Sequence, residues 1–429
     1  MELPINSHRR GLWVLSPLLV FFLVYVVASV LVGDFYKMPV TVAFLAASAW
    51  AFVVSKPRVL SRLIDRFSYG AANPNIMMMV WIFILAGAFA GSAKYIGSVE
   101  ATVNLTLSIL PPNMLPAGMF LAACLISLSI GTSVGTIVAL MPVAAALAPS
   151  AGLPTALMAG IVVGGAFFGD NLSFISDTTI ASTRTQGCLM KDKFRANFFI
   201  VLPAALLVLV VYVVMGLQYP GEVHGAPFSW ALVVPYLLVL VMAICGLNVM
   251  IVLLFGLFAT GIGALLVPQL SLIDWAGAMG KGITGMGELI IVTLLAGGLL
   301  ELIRYNGGLK YIIAHLTAKI TSRRGAEFTI ALLVTFANLC TANNTVAIVA
   351  VGDIARCVAE RFGIPAPRAA SLLDTFSCIV QGILPYGAQL LMGASLAGIA
   401  TLDIIPYLFY NYVLALACMI VIFLSNRGK

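Results

Sequence analysis

Charged side chains are scarce in this sequence. Lysine, arginine, aspartate and glutamate together make up 9% of the 429 residues, whereas hydrophobic residues make up 62% and the mean hydropathy is +1.09. Soluble globular domains carry about 25% charged residues, so this composition excludes an ordinary soluble protein. The net charge of +7 does not imply a nucleic-acid partner, because Lys and Arg of membrane proteins collect on cytoplasmic loops. The sequence predicts an all-α polytopic membrane protein surrounded by lipid.

Residues that build metal centres and enzyme active sites are few and isolated. The three histidines (His8, His224, His315) have no plausible metal partner three or four residues away, and the seven cysteines stand singly without a C-x-x-C pair. Such cysteines are typical of small core residues. The H-E-x-x-H motif and the P-loop are missing, as is a nucleophile beside an intramembrane base. We therefore expect neither an enzyme nor a bound cofactor.

Apolar runs of about 17 residues or more are long enough to cross a bilayer. Ten such runs cover residues 12–32, 39–55, 76–96, 155–187, 194–217, 228–245, 247–267, 286–305, 365–400 and 402–424. The first run is longer than the apolar region of a signal peptide, so we predict that it is a transmembrane helix. The runs 155–187 and 365–400 are interrupted by polar residues and glycines, which predicts broken helices.

Two further apolar segments, 114–149 and 326–360, are split by the short polar centres GTSVGT (131–136) and TANNT (341–345). Each half is only about 16 residues long, which is short for a crossing. We predict re-entrant hairpins, because irregular backbone at membrane depth is tolerated where protein or a wet cavity surrounds it. Two full helices in each segment are the alternative, and both choices return the chain to its starting side.

The two halves of the chain resemble each other. The tripeptide LAG at 85–87 recurs at 295–297, an offset of 210, and GLP at 152–154 recurs as GIP at 363–365, an offset of 211. Each half holds five crossings and one hairpin, an odd number of crossings, so the second half enters the membrane from the opposite face. The sequence predicts the inverted repeat of secondary transporters, with residues 1–217 as the first copy and 218–429 as the second.

The placement of basic residues gives the orientation. With the N-terminus in the cytoplasm, only Lys37, Lys94 and Lys281 among the 23 Lys and Arg residues fall outside. Because basic residues concentrate on cytoplasmic loops, we predict that both termini are cytoplasmic. The expected location is the inner membrane of a bacterium.

The most polar stretch within a predicted crossing is FGDNLSFISDTT at 168–179, with two carboxylates and four hydroxyls. An ionisable group at bilayer depth costs several kcal/mol, so such groups usually line a pathway or bind an ion. The glycines around Gly169 predict a helix break near 169–173. Free carbonyls at the break, together with Asp170, Ser173, Thr132 and Ser133, offer oxygen ligands of the kind that Na⁺ prefers.

No Lys or Arg pairs with Asp170 inside this segment of the sequence. An unpaired carboxylate in low dielectric is able to exchange H⁺ for a metal cation near neutral pH. The structural alternative is a carboxylate that only holds the break together through hydrogen bonds to hydroxyls.

The second half breaks at the corresponding place, 381–387, where Pro385 removes a backbone donor. The offset of 211 places Gln381 opposite Asp170. Asp177 and Asp374 are predicted at similar depth, about two helical turns below the midplane, where they form a second proton site or an entry vestibule, or cap neighbouring helices. Our candidate ion or substrate ligands are Asp170, Asn171, Ser173, Ser176, Asp177, Thr178, Thr132, Ser133, Asn343, Asn344, Thr345, Asp374 and Gln381, and the first choices for Na⁺ are Asp170, Ser173 and Thr132. For the amides at 343–345, capping of the hairpin arms is the alternative.

The motif GTSxGT at 131–136, followed by GDxxSxxSDTT at 169–179, resembles the signature pair of the NhaC family of Na⁺/H⁺ antiporters in the ion transporter superfamily. Phe174 stands where better-known members carry proline. The resemblance implies a homodimer with a scaffold built from early helices of each repeat and a mobile transport domain of hairpins and broken helices. It also implies Na⁺ and H⁺ as transported ions.

The leading hypothesis for function is secondary antiport of Na⁺ or Li⁺ against H⁺, with Asp170 carrying the exchanged charge. The alternative is a transporter of a small organic acid or amino acid coupled to Na⁺ or H⁺. Amides at the second hairpin tip, with Gln381 and Gln389, suit the carboxylate or amine of such a substrate. A non-transporting membrane receptor or assembly subunit is a third class, which predicts tolerance of substitutions at both motifs.

Overall fold

The computed structural model describes residues 13–21, 23–24, 39–56, 59–174, 176–219, 226–267, 270–317 and 320–424. These residues form helices and turns with no β-strand among them, which confirms the all-α class. In chain order the helices are α1 Val40–Val54, α2 Leu60–Ala71, α3 Pro74–Tyr95, α4 Ser98–Ile109, α5 Leu115–Ile130, α6 Ser133–Ser150, α7 Thr155–Leu172, α8 Asp177–Gln186, α9 Met190–Gly216, α10 Trp230–Ile244, α11 Val249–Leu266, α12 Leu272–Gly285, α13 Gly287–Tyr305, α14 Gly308–Thr317, α15 Arg323–Thr341, α16 Asn344–Arg361, α17 Ala366–Ile383, α18 Ala388–Ala397, α19 Thr401–Ile404 and α20 Phe409–Leu424.

Within the described ranges, eight helical runs are long and apolar enough to cross a membrane, or nine if the bent pair Thr401–Tyr407 and Phe409–Leu424 is one span. The predicted crossings at 39–55 and 228–245 are represented by shorter apolar helices, Thr41–Val54 and Trp230–Ile244. The predicted crossing at 12–32 lies largely outside the described residues. Two of the eight runs, Pro112–Ile130 and Ser133–Ser150, are the arms of the predicted hairpin 114–149, so the alternative of two full helices in that segment is favoured by their length. An integral membrane protein is therefore supported, and ten crossings remain a prediction.

Helix boundaries recur between the two halves of the chain. The helix α7 spans Thr155–Leu172, and α17 spans Ala366–Ile383, with both ends 211 residues later. The short helices that follow, α8 and α18, begin at Asp177 and Ala388, again 211 residues apart. Each pair of helices forms the broken helix expected from the sequence. The opposite orientation of the two copies in a membrane stays a prediction.

The hairpins have closely similar tips. In the first, Gly131 (φ 71°) ends α5 and Thr132 precedes α6. In the second, Ala342 (φ 47°) ends α15 and Asn343 precedes α16. The left-handed region suits glycine, which has no Cβ, and Ala342 is the only non-glycine residue with positive φ in the described part of the chain.

The hairpins and broken helices interlock across the two halves. The first hairpin, α5 and α6, packs on α7 of its own half and on α18 of the other half. The second hairpin, α15 and α16, packs on α17 and on α8 in the same way. Most of α7 is buried, because helices surround it on several sides. This arrangement brings the first hairpin tip next to both helix breaks and the second tip next to the second break.

Four short helices, α2, α4, α12 and α14, lie where the sequence analysis placed no crossing. The helix α12 packs against α3 at a close backbone crossing, where a Cβ on Gly87 would collide with the carbonyl oxygen of Gly282. Small residues of this kind are typical of helix contacts in membranes. The contact between α12 and α3 belongs to a bundle with α1, α2, α11 and α13 that lies beside the interlocked hairpins.

Candidate functional site

Asp170 lies in the last turn of α7 and is only 4% exposed. Its Oδ1 accepts a hydrogen bond from the backbone N–H of Ser133, at an N–O distance of 3.0 Å. Ser133 is the first residue of α6, where backbone N–H groups lack intrahelical partners and the helix dipole is positive. The carboxylate therefore connects the tip of the first hairpin to the first broken helix.

The break between α7 and α8 starts at Ser173, the last residue of the predicted range 169–173. The helix continues through Gly169 to Leu172, because Gly169 packs so closely on Ser127 of α5 that a Cβ would not fit. Burial of this helix therefore outweighs the low helix propensity of its glycines.

The carbonyl groups at the end of α7 already have protein donors. The Asp170 carbonyl accepts from Ser176 Oγ at 2.8 Å and from Thr178 Oγ1 at 3.2 Å. The Asn171 carbonyl accepts from Lys193 Nζ at 2.9 Å and from Asn197 Nδ2 at 2.8 Å. These two carbonyls are therefore not free, contrary to the expectation from the sequence, because side chains of the protein already donate to them.

At the second break, Gln381 reaches the other hairpin tip. Its Nε2 donates to the carbonyl of Ala342 and to Oε1 of Gln389, both at 3.0 Å. Gln389 in turn donates from Nε2 to Ser133 Oγ at 3.0 Å. A continuous hydrogen-bond chain therefore runs from Asp170 through Ser133, Gln389 and Gln381 to Ala342, and it joins both hairpin tips.

A buried ion pair lies beside the first break. Lys193 Nζ and Asp374 Oδ2 are 2.8 Å apart, and the two side chains are 1% and 0% exposed. The sequence analysis assigned Lys193 to the cytoplasmic basic residues. The structure places Lys193 in the first turn of α9, which begins at Met190, before the predicted crossing at 194–217, and its side chain is buried against Asp374 of α17 and not exposed on a loop. Its side of the membrane stays a prediction.

The remaining predicted site residues fall into different environments. Asp177 is exposed at the first position of α8, whereas Asp374 is fully buried. Their environments therefore differ, despite the predicted similarity in depth. The Asn171 side chain turns to α20, where its Nδ2 donates to the hydroxyl of Tyr410 at 3.0 Å. Ser173 Oγ donates to the Leu128 carbonyl at 3.0 Å.

The amides of the second hairpin tip make local contacts. Asn343 Oδ1 accepts from the backbone N–H of Val346 at 2.9 Å, as a helix N-cap does. Asn344 Oδ1 accepts from the backbone N–H of Thr345 at 3.0 Å. At the first tip the corresponding residue, Thr132, accepts at its carbonyl from Thr136 Oγ1 at 3.1 Å. These contacts match the capping alternative for Asn343.

Across the described ranges, no group of three or more His, Cys, Asp or Glu side chains is placed to hold a metal ion. Oxygen atoms near Asp170 come instead from hydroxyls and amides.

Sequence reasoning missed Lys193, its neighbour Thr179 and Asn197. Lys193 Nζ donates to Thr179 Oγ1 at 2.7 Å, and Asn197 Nδ2 donates to Asp374 Oδ2 at 2.8 Å. One signal was available. Lys193 and Asn197 are four residues apart, so they share one face of a helix that continues into an apolar run.

A small cleft of about 70 Å³ lies between the second hairpin tip and α13. Thr341 and Asn343 line it from the tip, and Asn73, Glu301 and Arg304 line it from the neighbouring bundle. Glu301 Oε2 and Arg304 Nη1 are 3.7 Å apart. The cleft therefore presents one carboxylate and one guanidinium next to amide and hydroxyl groups.

A family model and known proteins are similar to this sequence over most of its length. The model of the Na⁺/H⁺ antiporter family matches residues 10–217 and 223–428. The Na⁺/H⁺ antiporter NhaC of Bacillus subtilis is 23% identical over 98% of this chain and 100% of its own. The malate-2H⁺/Na⁺-lactate antiporter of the same organism is 21% identical over 79% of each chain. The arginine/ornithine antiporter ArcD of Halobacterium salinarum is 24% identical over 80% of this chain and 79% of its own.

These relatives are transporters and not enzymes. The resemblance to the NhaC family that the two motifs carry is confirmed by the family model and by the NhaC relatives. The chain belongs to the Na⁺/H⁺ antiporter family.

Proposed function

We propose that this protein is a secondary antiporter that exports Na⁺ or Li⁺ in exchange for H⁺, with Asp170 binding the cation and the proton in turn. Competition of two cations for one carboxylate gives antiport when the site changes its access across the membrane only while it holds one ion or the other, and the cost of an unpaired buried carboxylate opposes movement of the empty site. Membership of the family supports antiport, and the names of the relatives cover several substrates.

The observation that carries the proposal is the environment of Asp170. The carboxylate is buried at the end of a broken helix, and it takes part in none of the ion pairs between described residues. A buried carboxylate without a basic partner is costly. Binding of Na⁺ or H⁺ removes this cost. The hydroxyls of Ser133, Ser173 and Thr132 are the candidates for the other Na⁺ ligands.

Purified protein in liposomes with a trapped pH-sensitive dye tests the proposal. Addition of Na⁺ or Li⁺ to vesicles that hold a pH gradient should change the dye signal, and choline should not. The Asp170→Asn protein should lose the exchange. The matched control is Asp192→Asn, which changes an exposed aspartate at the start of α9. Full exchange by the Asp170→Asn protein would overturn the assignment.

The cleft beside the second hairpin tip favours a second candidate, exchange of a small organic acid or amino acid coupled to Na⁺ or H⁺. Arg304 suits a substrate carboxylate, and Glu301 suits an ammonium group. Amide groups of Asn343 and Asn73 line the same space. Two relatives bear the names of organic acid and amino acid antiporters, which supports this candidate.

Thermal-shift measurements with amino acids and dicarboxylates, with and without Na⁺, separate the two candidates. If the second is correct, one compound raises the melting temperature in the wild type and fails to do so in Arg304→Gln. Arg323→Gln, at an exposed arginine of α15, is the control. If no compound acts while Na⁺-driven proton movement persists, the second candidate is wrong.

The proposed assembly rests on the predicted repeat, the placement of basic residues and the resemblance to the NhaC family. We propose two inverted repeats, 1–217 and 218–429, in the inner membrane of a bacterium, with both termini cytoplasmic and two copies per unit. The recurrence of helix boundaries at an offset of 211 supports the repeat. Native mass spectrometry in detergent tests the dimer, and cysteine labelling from each side of the membrane tests the orientation.

A further inference from the structure

Lys193 has an unusual position for a basic residue of a membrane protein. It lies in the first turn of α9, where the helix dipole is positive and disfavours an ammonium group. It is nevertheless only 1% exposed. Its charge must therefore be stabilised by groups from other helices.

Three oxygen atoms surround the ammonium. Asp374 Oδ2 lies at 2.8 Å, the Asn171 carbonyl at 2.9 Å and Thr179 Oγ1 at 2.7 Å. They are a carboxylate, a carbonyl at the negative end of α7, and a hydroxyl. Oxygen ligands of these three kinds bind hard cations in proteins, and helix ends beside a break bind coupling ions in transporters. The ammonium of Lys193 lies at the centre of such a ligand set.

The side chains around this ion pair have more acceptors than donors. Asn197 Nδ2 donates to both the Asn171 carbonyl and Asp374 Oδ2. The Oδ1 atoms of Asp374 and Asn197 are buried and have no hydrogen-bond partner among the described residues. Buried polar atoms are normally paired, so these two unpaired oxygens indicate a place that favours positive charge beyond one ammonium.

The fold itself does not require charge at this position. The offset of 211 relates Lys193 to Ile404 and Asp374 to Val163, and both of these are fully buried. The equivalent positions in the other half of the chain are therefore filled by aliphatic side chains, although α19 is followed there by a bend where α9 is continuous.

We propose that Lys193 occupies a cation site built from Asp374, Asn171 and Thr179, and that its ammonium acts as a covalently attached substitute for a soluble monovalent cation. In the wild type the attached ammonium neutralises Asp374 without a transported ion. If the proposed role of Asp170 is correct, one consequence is that exchange uses that carboxylate alone. The site itself does not depend on that role.

Removal of the side chain should open the site to a soluble cation. We would prepare Lys193→Ala in an Asp170→Asn background and measure the melting temperature of the purified protein against NaCl, NH₄Cl and choline chloride at equal ionic strength. We expect a saturable rise with Na⁺ or NH₄⁺ and none with choline, because only a bound ligand stabilises by mass action. Asp170→Asn alone, and Asp170→Asn with Lys191→Ala at an exposed lysine, should lack this additional rise.

A second variant identifies the ligand. Adding Asp374→Asn to the Lys193→Ala protein removes the carboxylate, and the half-saturating cation concentration should increase at least about tenfold. The pair Lys193→Ile with Asp374→Val copies the other half of the chain and should fold without any cation response.

Equal melting temperatures of the Lys193→Ala protein in all three salts would overturn the proposal, whether that protein is stable or unstable. A saturable Na⁺ response that persists in Asp170→Asn with Lys193 intact would instead contradict the proposed function of Asp170. The two failures are therefore distinguishable.

Discussion

The ion pair of Lys193 and Asp374 and its apolar counterpart show how the two halves of the chain differ. Ile404 and Val163 occupy the corresponding positions, and their Cδ1 and Cγ2 atoms lie 3.7 and 3.5 Å from the place of a Cβ on Gly393. Both side chains therefore border the same point in the interior. Equivalent positions thus hold a charged pair in one half and an aliphatic pair in the other, so burial at these positions does not by itself require charge.

The two hairpin tips differ in the direction of their hydrogen bonds. Asp170 accepts from a backbone N–H at the first tip, Ser133. Gln381, its counterpart 211 residues later, donates to a backbone carbonyl at the second tip, Ala342. A carboxylate can only accept, whereas an amide can donate. The first tip therefore suits a site that contains a carboxylate. The second tip suits contacts between neutral polar groups.

The largest expected effect on stability comes from breaking the ion pair of Lys193 and Asp374, which its apolar counterpart, Ile404 and Val163, does not contain. Asp374→Asn leaves the Lys193 ammonium buried without a counter-ion, which should lower the free energy of unfolding by about 3–5 kcal/mol. The measurement is an unfolding titration with sodium dodecyl sulfate in mixed micelles.

The control for this prediction is the double replacement Lys193→Ile with Asp374→Val. It removes both charges and copies Ile404 and Val163, so it should recover most of the lost stability, since buried ion pairs are often replaceable by packed apolar groups. If Asp374→Asn is as stable as the wild type, another acceptor stabilises the charge of the Lys193 ammonium. The claim that Asp374 is its counter-ion would then be wrong.

The sequence was sufficient for the main elements of the fold. Long apolar runs predicted most of the helices, and Gly131 and Pro385 correctly marked a hairpin tip and a helix break. Short helices such as α12 escaped because they depend on close contact with a neighbour, here α3, and not on their own apolar length.

The candidate site was only partly accessible from sequence. The pattern predicted Asp170 and Ser133 as ligands, and the structure brings them into contact. It did not reveal the partner of Asp374, because Lys193 lies 181 positions earlier in the chain and sits among basic residues that resemble a cytoplasmic loop. Pairings between distant segments depend on how helices turn about their axes, and hydropathy does not record that rotation.

A smaller effect tests the hydrogen-bond chain between the two tips. Gln389 is 4% exposed and bonds both Ser133 and Gln381. Gln389→Leu leaves the amide of Gln381 without one of its acceptors, so we expect a loss of about 1–3 kcal/mol in the free energy of unfolding. The same titration measures it. Gln218→Leu, at an exposed glutamine, is the control, and an equal loss in both variants would count against the link.

The smallest effect concerns the tips themselves. Ala342 adopts φ 47°, where its counterpart Gly131 adopts 71°. A left-handed conformation costs a residue with a Cβ roughly 1–2 kcal/mol, and replacing Ala342 by glycine removes that cost. Part of the resulting stabilisation is lost because glycine is more flexible in the unfolded chain. We therefore expect Ala342→Gly to stabilise the protein by up to about 1 kcal/mol.

The reciprocal change, Gly131→Ala, should destabilise the protein by about 1 kcal/mol or more, since it introduces the same strain at the first tip. Stability measurements on the two variants side by side give the sign of each. If both changes destabilise the protein, the methyl group of Ala342 makes packing contacts that Gly131 lacks. The energy of those contacts would then exceed the backbone strain at the second tip. Strained residues persist where the surrounding structure holds them. That outcome would therefore mean that the second tip, beside Gln381, is held more tightly than the first tip, beside Asp170.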